Sequence, residues 1–383
     1  MAVSISSFIR IRGGHVIDPG AQFSGVRDVW IENGRISDGA SVPEGNHAEV
    51  DASGCFVFPG LVDFHVHIFE GGTEIGLPPD AILLPLGITT AVDQGSAGVA
   101  SQKVFRSGIL DRTALRSFAF LNCCPAGLAT ARYLENVNPS VFDPQAIRDV
   151  FDRHGDIFRG LKIRQSIEIA GDLGLKPLER CIQIADDLGV PVVVHTTDSA
   201  GDIEDLANML RSGDVFSHVF HGRGQTILDG NGVIRPAVLR ARERGVLFDS
   251  ADGRLHYGLR VIRRALEQGF MPDTISTDLT RVSMLVPPVF GLPFVMSKYL
   301  ALGMRLEDVV RAVTQTPVRA LNLDRDAPES LSPGACADVA VFKLKDVSRT
   351  ITDQAGETLE IPRLLVPQMT YREGRALYRN MEF

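Results

Sequence analysis

The sequence predicts an α/β fold in which a (β/α)8 TIM barrel carries a small, discontinuous β-sandwich domain. Its 383 residues suffice for a barrel of about 250 residues and an appended smaller unit. From about residue 55 to residue 315, eight apolar runs of β character alternate with helical patterns, which favours parallel strands closed into a barrel. Because β patterns return near both ends of the chain, we predict that residues 1–54 and 326–383 form the small domain and that residues 55–325 form the barrel.

The individual elements follow from turn signals and apolar periodicity. At the N-terminal end, Phe8–Arg12 and Val29–Glu32 are short β segments, and Asn33-Gly34 is a hairpin signal. The eight predicted barrel strands are Cys55–His67, Ile88–Gln94, Ser117–Asn122, Ile157–Arg164, Pro191–His195, Val215–His218, Val246–Ser250 and Thr274–Asp278. Helical patterns, several of which begin with proline, cover Pro144–His154, Pro177–Leu188, Asp202–Arg211, Pro236–Arg244, Leu259–Gln268, Pro293–Leu302 and Leu306–Thr314. We expect the last β segments, Asp338–Phe342 and Ala376–Tyr378, to pair with the N-terminal ones.

The composition narrows the class of protein. The chain has 44% hydrophobic and 22% charged residues, and its net charge of −8 is spread along the sequence, so nucleic acid and anionic membrane surfaces are poor partners. No apolar run approaches the ~20 residues that span a bilayer. Five cysteines without C-x-x-C spacing argue against a disulfide framework and against a cysteine zinc site. We therefore expect a soluble, cytoplasmic protein with free thiols that acts on a small molecule.

Two histidines at the end of the first predicted barrel strand point to a metal. His65 and His67 are spaced i, i+2 behind an apolar run, which puts both imidazoles on one face of a strand. Neutral imidazole is a favoured ligand of zinc and related ions. The pair therefore predicts half of a metal site.

Polar residues also mark four other predicted strands. His195, His218 and Asp278 end apolar runs, and Lys162 lies among apolar neighbours on strand four, where a charged ammonium is costly. Each residue alone could be a satisfied structural group, and Lys162 could reach water as a rim lysine. Active sites of barrels lie at the carboxyl ends of the strands. The joint order His-x-His, Lys, His, His, Asp therefore favours one convergent metal site.

That order resembles the metal-dependent amidohydrolase superfamily, and the resemblance covers nearly the whole chain. The segments that carry it most specifically are Phe58–His67 and Leu331–Phe342. Five further segments are similar to the amidohydrolase/deacetylase family of metallohydrolases within that superfamily: Ala91–Gly98, Gly160–Arg164, Ser217–Gly222, Pro272–Leu279 and Met296–Lys298.

The resemblance implies a binuclear centre with two divalent metal ions. Zinc is expected, although histidine and carboxylate ligands also suit manganese and iron. Lys162 would be carbamylated to N6-carboxylysine and bridge the two ions. One ion would be held by His65, His67, Lys162 and Asp278, and the other by Lys162, His195 and His218. Members of the superfamily commonly self-associate, so a homo-oligomer is left open.

Such a centre can activate water and guide it to a carbonyl. Two divalent ions lower the pKa of a bridging water towards neutrality and polarise the carbonyl group. We predict that Asp278 is the catalytic general base and then the general acid. Arg164 lies two residues beyond Lys162 on the same strand face, where it could clamp a substrate carboxylate with its guanidinium fork. A rim salt bridge to a neighbouring acid is the alternative.

Three other residues are weaker candidates for substrate contacts. Gly95 and Ser96 lie in a glycine-rich loop that could offer backbone N–H groups, although such turns are common after strands. His221, three residues beyond His218, could contact substrate, support a ligand or replace His218 as the ligand. We favour His218 because it is nearest the strand end.

These residues together predict a metal-dependent hydrolase. The deacetylase resemblance implies cleavage of an amide or ester of a small acylated carboxylic acid, such as an N-acetyl amino acid or an O-acetyl hydroxy acid, by metal-bound hydroxide. A cyclic-amide hydrolase of the dihydroorotase or hydantoinase kind is the alternative enzyme. A non-catalytic scaffold of the dihydropyrimidinase-like kind fits less well, because none of the six candidate ligand positions is vacant.

Overall fold

The computed structural model describes residues 8–40, 47–130, 133–284, 286–323 and 327–383 of this chain. The strands are β1 (Phe8–Arg12), β2 (His15–Asp18), β3 (Phe23–Val26), β4 (Val29–Glu32), β5 (Arg35–Ser37), β6 (Ala48–Asp51), β7 (Phe56–Pro59), β8 (Leu61–Val66), β9 (Ile88–Gln94), β10 (Arg116–Asn122), β11 (Phe158–Arg164), β12 (Val192–His195), β13 (Val215–Ser217), β14 (Leu247–Asp249), β15 (Val339–Thr352), β16 (Thr358–Arg372) and β17 (Arg375–Arg379). The α-helices are α1 (Pro79–Leu83), α2 (Gln102–Phe105), α3 (Pro144–His154), α4 (Ile167–Ala170), α5 (Lys176–Leu188), α6 (Ile203–Met209), α7 (Pro236–Glu243), α8 (Leu259–Glu267), α9 (Leu292–Ala301), α10 (Leu306–Ala312) and α11 (Gln315–Ala320).

The centre of the molecule is a sheet of seven parallel strands in the order β14-β13-β12-β11-β10-β9-β8. Every residue of β8, β9 and β12 is buried, as expected for a parallel sheet covered on both faces. Spatial order follows chain order, and helices connect most neighbouring strands. The carboxyl ends of the strands therefore meet at one edge.

The predicted eighth strand, Thr274–Asp278, does not form a regular strand. Parallel bridges nevertheless join this segment to both edge strands of the sheet, at Asp249↔Thr274 and Val66↔Leu279. The Asp278 backbone N–H donates to the His65 carbonyl over 2.8 Å. Asp278 has a φ of 49°, and this left-handed backbone interrupts the extended geometry that a continuous ladder requires.

The predicted first strand, Cys55–His67, is two strands that belong to different sheets. β7 pairs with β15 and β2, whereas β8 pairs with β9. Gly60 separates them, and a Cβ atom at this position would lie 2.2 Å from Thr89 Oγ1. The close approach therefore requires glycine at the point where the chain passes from one sheet to the next.

The two ends of the chain share a six-stranded sheet of order β17-β16-β15-β7-β2-β3, and a four-stranded sheet of order β5-β4-β1-β6 lies beside it. The C-terminal strands thus share a sheet with β2 and β3, but among the described strands they do not pair with the N-terminal ones directly as expected. β15 pairs instead with β7, which the sequence assigns to the first barrel strand, and β1 and β4 lie in the other sheet. A separate apolar core lies between these strands and includes Ile11, Val29, Val57 and Val341. The predicted boundary at residues 325 and 326 lies outside the described residues.

The C-terminal hairpin is much longer than the sequence pattern indicates. β15 runs to Thr352 instead of ending at Phe342. Its far end reaches the start of α8, where the Tyr257 hydroxyl donates to the Thr352 carbonyl and the Leu259 N–H donates to the Asp353 carboxylate, each over 2.8 Å. The second half of β15 is rich in charged and polar residues, so the apolar pattern of the sequence does not indicate that the strand continues there.

The helices follow the sequence closely. α3 has the predicted bounds, with Asp143 Oδ1 accepting from the Ala146 N–H as a cap. Within the described residues, no helix combines the length and apolar character needed to cross a bilayer. All five cysteines are buried, and none of them forms a disulfide bond.

Candidate active site

A cavity of about 290 Å³ opens at the carboxyl ends of the parallel strands. All six predicted metal ligands line it, together with an apolar wall and a polar rim. The lining residues are His65, His67, Ile75, Leu128, Thr130, Leu134, Lys162, Arg164, Glu168, His195, His218, His256, Asp278 and Thr280. Residues from distant parts of the chain converge here because parallel strands end at the same edge of the sheet.

The first ligand group consists of His65, His67 and Asp278. Asp278 Oδ1 lies 3.2 Å from His67 Nε2 and 3.6 Å from His65 Nε2. The other ring nitrogens are occupied: His67 Nδ1 is 2.9 Å from Ser96 Oγ, and His65 Nδ1 is 2.9 Å from Ser217 Oγ. These hydrogen bonds orient both Nε2 atoms towards the carboxylate, in the way that outer partners orient metal-binding histidines.

The second ligand group consists of His195, His218 and His256. The ring centroids of His195 and His218 are 4.2 Å apart, and those of His218 and His256 are 4.3 Å apart. His218 Nδ1 lies 2.7 Å from the Ala251 carbonyl oxygen. In each ligand group, one donor atom per residue can be chosen so that all three lie within 4.8 Å of one another.

His256 was missed by the sequence reasoning. It lies in the segment after β14, where Thr197 Oγ1 is 2.9 Å from its Nδ1 atom and Asp278 Oδ2 is 3.6 Å from its Nε2 atom. No apolar strand ends at His256, so the strand-end rule does not select it. The signal that could have found it is the polar run from Asp249 to Gly253 that precedes it, since polar loops beyond barrel strands form the catalytic face.

Lys162 lies on β11, and its side chain lines the same cavity. Only 2% of the residue is exposed, and its Nζ atom has no hydrogen-bond partner among the described residues. Burial lowers the pKa of this amine to about 8, although Asp278 and Asp249 oppose the shift. A substantial fraction of the amine is therefore neutral, and hence nucleophilic, near physiological pH.

Gly95 lies against the stem of Lys162. A Cβ atom at Gly95 would lie 2.6 Å from Lys162 Cγ, and the backbone has a φ of 80°. Glycine is therefore required for the lysine to occupy this position.

The electrostatics keep the histidines in the form that binds metal. Burial, reinforced by neighbouring cationic groups, lowers the pKa of His65, His195 and His218 well below the usual value. Burial is also the main cause that lowers the pKa of His256 to about 4. All four imidazoles are thus neutral near pH 7 and can donate a nitrogen lone pair to a cation.

Two further carboxylates lie beneath the ligands. Burial raises the pKa of Asp249 to about 6 and that of Asp63 to about 7, against the lowering effect of their hydrogen bonds. Asp249 Oδ2 is 3.3 Å from His65 Nδ1, and Asp63 Oδ2 accepts from Thr277 Oγ1 over 2.6 Å. Through these contacts Asp249 holds the His65 ring, and Asp63 holds the segment that carries Asp278.

Three non-glycine residues at or beside the candidate ligands have left-handed backbone. Asp278, His218 and Ala251 have φ values of 49°, 63° and 38°, in the left-handed region that side chains other than glycine rarely adopt. Residues held in such conformations cluster at functional sites, where the surrounding structure compensates for the strain. Here the strain turns two ligand-bearing segments back towards the cavity.

Among the four predicted substrate contacts, only Arg164 lines the cavity. Its NH1 atom lies 3.1 Å from Glu135 Oε2, so the alternative of a salt bridge is also met. Ser96 and Gly95 instead contact the His67 and Lys162 side chains. His221 is fully buried and lies outside the cavity lining.

The donor atoms fit two divalent cations. Each group supplies neutral imidazole nitrogens, one of the groups adds a carboxylate, and the buried amine of Lys162 faces the same cavity. Such nitrogen and oxygen donors suit zinc and neighbouring ions. An orphaned lysine amine in this setting also fits carbamylation, which converts it into an anionic oxygen donor.

Comparisons with known proteins agree with this arrangement. The model of the Amidohydrolase family matches residues 163–375. A deacetylase of Agrobacterium fabrum is 36% identical over 321 residues, covering 83% of this chain and 78% of the relative. A deacetylase of Brucella anthropi is 35% identical over 83% of this chain and 79% of the relative.

Solved structures superpose on nearly the whole chain. A crystal structure of a dihydroorotase has a TM-score of 0.87 and 32% identity, and 98% of each chain is covered. A crystal structure of an adenine deaminase has a TM-score of 0.86 and 25% identity, with 97% of this chain and 99% of the other covered.

Proposed function

This chain belongs to the amidohydrolase family and is a hydrolase, and we propose that it is a metal-dependent deacetylase of small acylated carboxylic acids. The observation that carries the proposal is the convergence of five histidines and one aspartate around the buried amine of Lys162, which has no hydrogen-bond partner among the described residues. The deacetylase names of relatives at 35% and 36% identity support the bond class. The substrate would be an N-acetyl amino acid or an O-acetyl hydroxy acid.

We propose that His65, His67 and Asp278 hold one zinc ion and that His195 and His218 hold the other. Lys162, carbamylated to N6-carboxylysine, would contribute to both. When bound, the two ions would activate a water molecule near neutral pH and polarise the substrate carbonyl. Support comes from the neutral imidazoles and from the desolvated amine, which can attack carbon dioxide only when it is unprotonated.

Asp278 is proposed as the residue that moves the proton. Its Oδ1 atom lies beside the His65 and His67 nitrogens, whereas Oδ2 lies towards His256. Oδ2 would accept the proton of the attacking water and then protonate the leaving amine or alkoxide, so that one carboxylate acts as base and then acid. The net reaction is hydrolysis of the acyl bond, and the carboxylate is regenerated.

Arg164 is proposed as the group that binds the substrate carboxylate. It lines the cavity and is 25% exposed, and among the described residues only one of its terminal nitrogens is paired, with Glu135 at 3.1 Å. The remaining guanidinium donors are available to an anion at the rim. The volume of about 290 Å³ suits a small acid rather than a polymer.

We also propose that segment 274–279 completes the central sheet as the eighth strand of a closed barrel. The two parallel bridges to the edge strands and the superposition on solved structures support this. We propose the predicted division into residues 1–54, 55–325 and 326–383 with its first boundary moved to Gly60, because β7 pairs in the outer sheet and Val57 lies in the outer apolar core.

A substrate panel tests the proposal. N-acetyl amino acids and O-acetyl hydroxy acids of both hands should be hydrolysed by protein purified with zinc and bicarbonate, and metal content should approach two ions per chain. Cyclic imides and ureides are included because a dihydroorotase structure superposes with a TM-score of 0.87. Turnover of the cyclic compounds alone would replace the deacetylase proposal with a cyclic-amide hydrolase.

Asp278→Asn tests the catalytic role directly. The amide is a poor proton acceptor, so kcat should fall by about 10²–10⁴-fold on whichever substrate the panel identifies. Activity is expressed per bound metal, measured by elemental analysis on the same sample. Full activity with both ions retained would exclude Asp278 as the base.

A further inference from the structure

A buried ion pair joins α9 to the segment that follows β14. Lys298 on α9 and Asp252 are both 0% exposed, and Lys298 Nζ lies 2.6 Å from Asp252 Oδ2. The Tyr299 hydroxyl donates to Asp252 Oδ1 over 2.9 Å. The Lys298 ammonium also lies 4.2 Å from the centroid of the Tyr257 ring. Asp252 is therefore held by two consecutive residues of one helix.

The backbone around Asp252 touches three groups of the candidate active site. The Ala251 carbonyl oxygen is 2.7 Å from His218 Nδ1. A Cβ atom at Gly253 would lie 2.6 Å from Asp278 Oδ2. The His256 N–H donates to the Asp252 carbonyl over 3.2 Å. The segment thus contacts His218, a proposed ligand, and Asp278, the proposed base, and it also fixes the backbone of His256.

Two backbone hydrogen bonds also join this segment to the segment that carries Asp278. The Asp252 and Gly253 N–H groups donate to the carbonyls of Ser276 and Thr277 over 3.3 Å and 3.0 Å. Ala251 and Gly253 have φ values of 38° and 51°, so the backbone is strained on both sides of Asp252. A conformation of this kind persists only where its surroundings over-determine it. The ion pair is one such restraint on the segment.

We propose that Lys298, through Asp252, is a positioning residue that holds residues 251–253 against His218 and Asp278, and with them the turn that carries His256, in the geometry that catalysis requires. The proposal rests on the proposed function for the identity of the reaction. It assigns Lys298 and Asp252 no contact with substrate, since neither lines the cavity. It predicts that the pair affects turnover more than substrate binding.

Lys298→Met tests this, because methionine keeps the length of the side chain and removes its charge. A displacement of the segment by about 1 Å should lower kcat by about 100-fold while KM changes little and metal content stays at the wild-type value. Amide hydrogen exchange should become faster in the peptide that covers residues 250–258. Tyr299→Phe removes only the hydroxyl group that bonds Asp252 and Ser250, should fold normally, and should shift both quantities in the same direction by less.

Arg116→Met is the matched control. Arg116 NH1 lies 2.8 Å from Asp338 Oδ2, the aspartate is 0% exposed, and neither residue lines the cavity. Its loss also leaves a buried carboxylate without its cation, so it should lower the unfolding midpoint in the manner of Lys298→Met. Its kcat and the exchange of residues 250–258 should match the wild type.

The outcomes separate this proposal from the proposed function. A Lys298→Met protein with wild-type kcat per bound metal, or an Arg116→Met protein with the same loss of kcat, would show that the pair is only structural. If the wild type hydrolyses nothing in the panel, the proposed function fails, and hydrogen exchange alone decides whether Lys298 orders the segment. Unchanged exchange in both Lys298→Met and Tyr299→Phe would overturn the positioning role.

Discussion

The carboxyl end of β11 and the contact between α9 and residues 251–256 each bury a lysine, but in opposite surroundings. Lys162 faces the cavity, and its Nζ atom has no hydrogen-bond partner among the described residues. Lys298 Nζ also lacks a hydrogen bond of regular geometry among the described residues, but it forms an ion pair with a buried carboxylate at 2.6 Å and lies above an aromatic ring. Both residues are almost completely shielded from water, at 2% and 0% exposure.

The difference teaches that the partner of a buried charge, rather than burial itself, indicates its role. Removing an ammonium from water costs several kcal/mol unless a counter-charge compensates. At Lys162 that cost is reflected in the pKa, which burial lowers to about 8, and the amine becomes available for chemistry. At Lys298 an aspartate offsets the cost, and the pair becomes part of the scaffold.

The largest expected effect follows from Lys162→Met. Without a carbamate ligand the cluster should lose metal, and activity should fall by on the order of 10³-fold or more, since each 1.4 kcal/mol is a factor of ten and metal ions contribute several kcal/mol. The metal-free variant should nevertheless be more stable than the metal-free wild type, because a buried amine has been replaced by an apolar group. Urea unfolding and elemental analysis measure both quantities. Full activity of Lys162→Met would show that Lys162 takes no part in the chemistry, contrary to the difference drawn between the two lysines.

The same substitution at the second lysine should have the opposite effect on stability. Lys298→Met leaves Asp252 buried without its cation, which should lower the free energy of unfolding by about 3–5 kcal/mol. The double variant Lys298→Met/Asp252→Leu removes both charges and should recover most of that loss. Urea unfolding of the single and double variants gives the coupling energy. Equal stability of Lys298→Met and wild type would mean that the pair is not a stabilising contact.

The smallest expected effect is a pH dependence of the metal-free protein. The pKa of Lys162 is about 8 in the folded state against 10.5 for the free side chain, so the unfolded chain binds more protons between these values. Stability should therefore rise with pH across this window, by at most about 3 kcal/mol, and the penalty should be fully present below pH 8. Lys162→Met, measured in the same carbon-dioxide-free buffers, should lack this contribution. Identical slopes for the two proteins would show that the lysine is not desolvated.

The parts of the site that lie on strands were predictable from the sequence. His195, His218 and the His65–His67 pair end or follow apolar runs, and parallel packing brings such positions to one edge of a sheet whatever the loops do. Lys162 and Arg164 share a strand face, so both reach the cavity. These predictions rest on periodicity and on the geometry of parallel strands.

The parts that depend on loop conformation were not predictable. His256 reaches the cluster only because Ala251 and Gly253 adopt left-handed backbone, and Glu135 meets Arg164 from a separate loop after β10. Ser96 and Gly95 contact the side chains of His67 and Lys162 and do not line the cavity, because the turn after β9 packs directly against those side chains. Apolar periodicity carries no information about such turns.

The same limit explains the errors in the fold. The run Cys55–Val62 contains no charged or polar side chain, so periodicity does not show that two sheets meet in it, at the point where Gly60 packs on Thr89. The run Thr274–Asp278 looks like a strand, but its polar side chains bind inward: Thr274 and Ser276 donate to Asp249, and Thr277 donates to Asp63.

The bond from Thr277 to Asp63 joins residues that are 214 positions apart. At a synthesis rate of about 5–20 residues per second, the first histidine pair leaves the ribosome roughly 10–40 s before its carboxylate partner exists. During that interval the nascent chain carries an isolated pair of imidazoles that can bind a stray cation but cannot hold it in the final geometry. With the proposed ligands, metal loading would therefore be a late event of biogenesis, because it must follow the synthesis of the segment that carries Asp278.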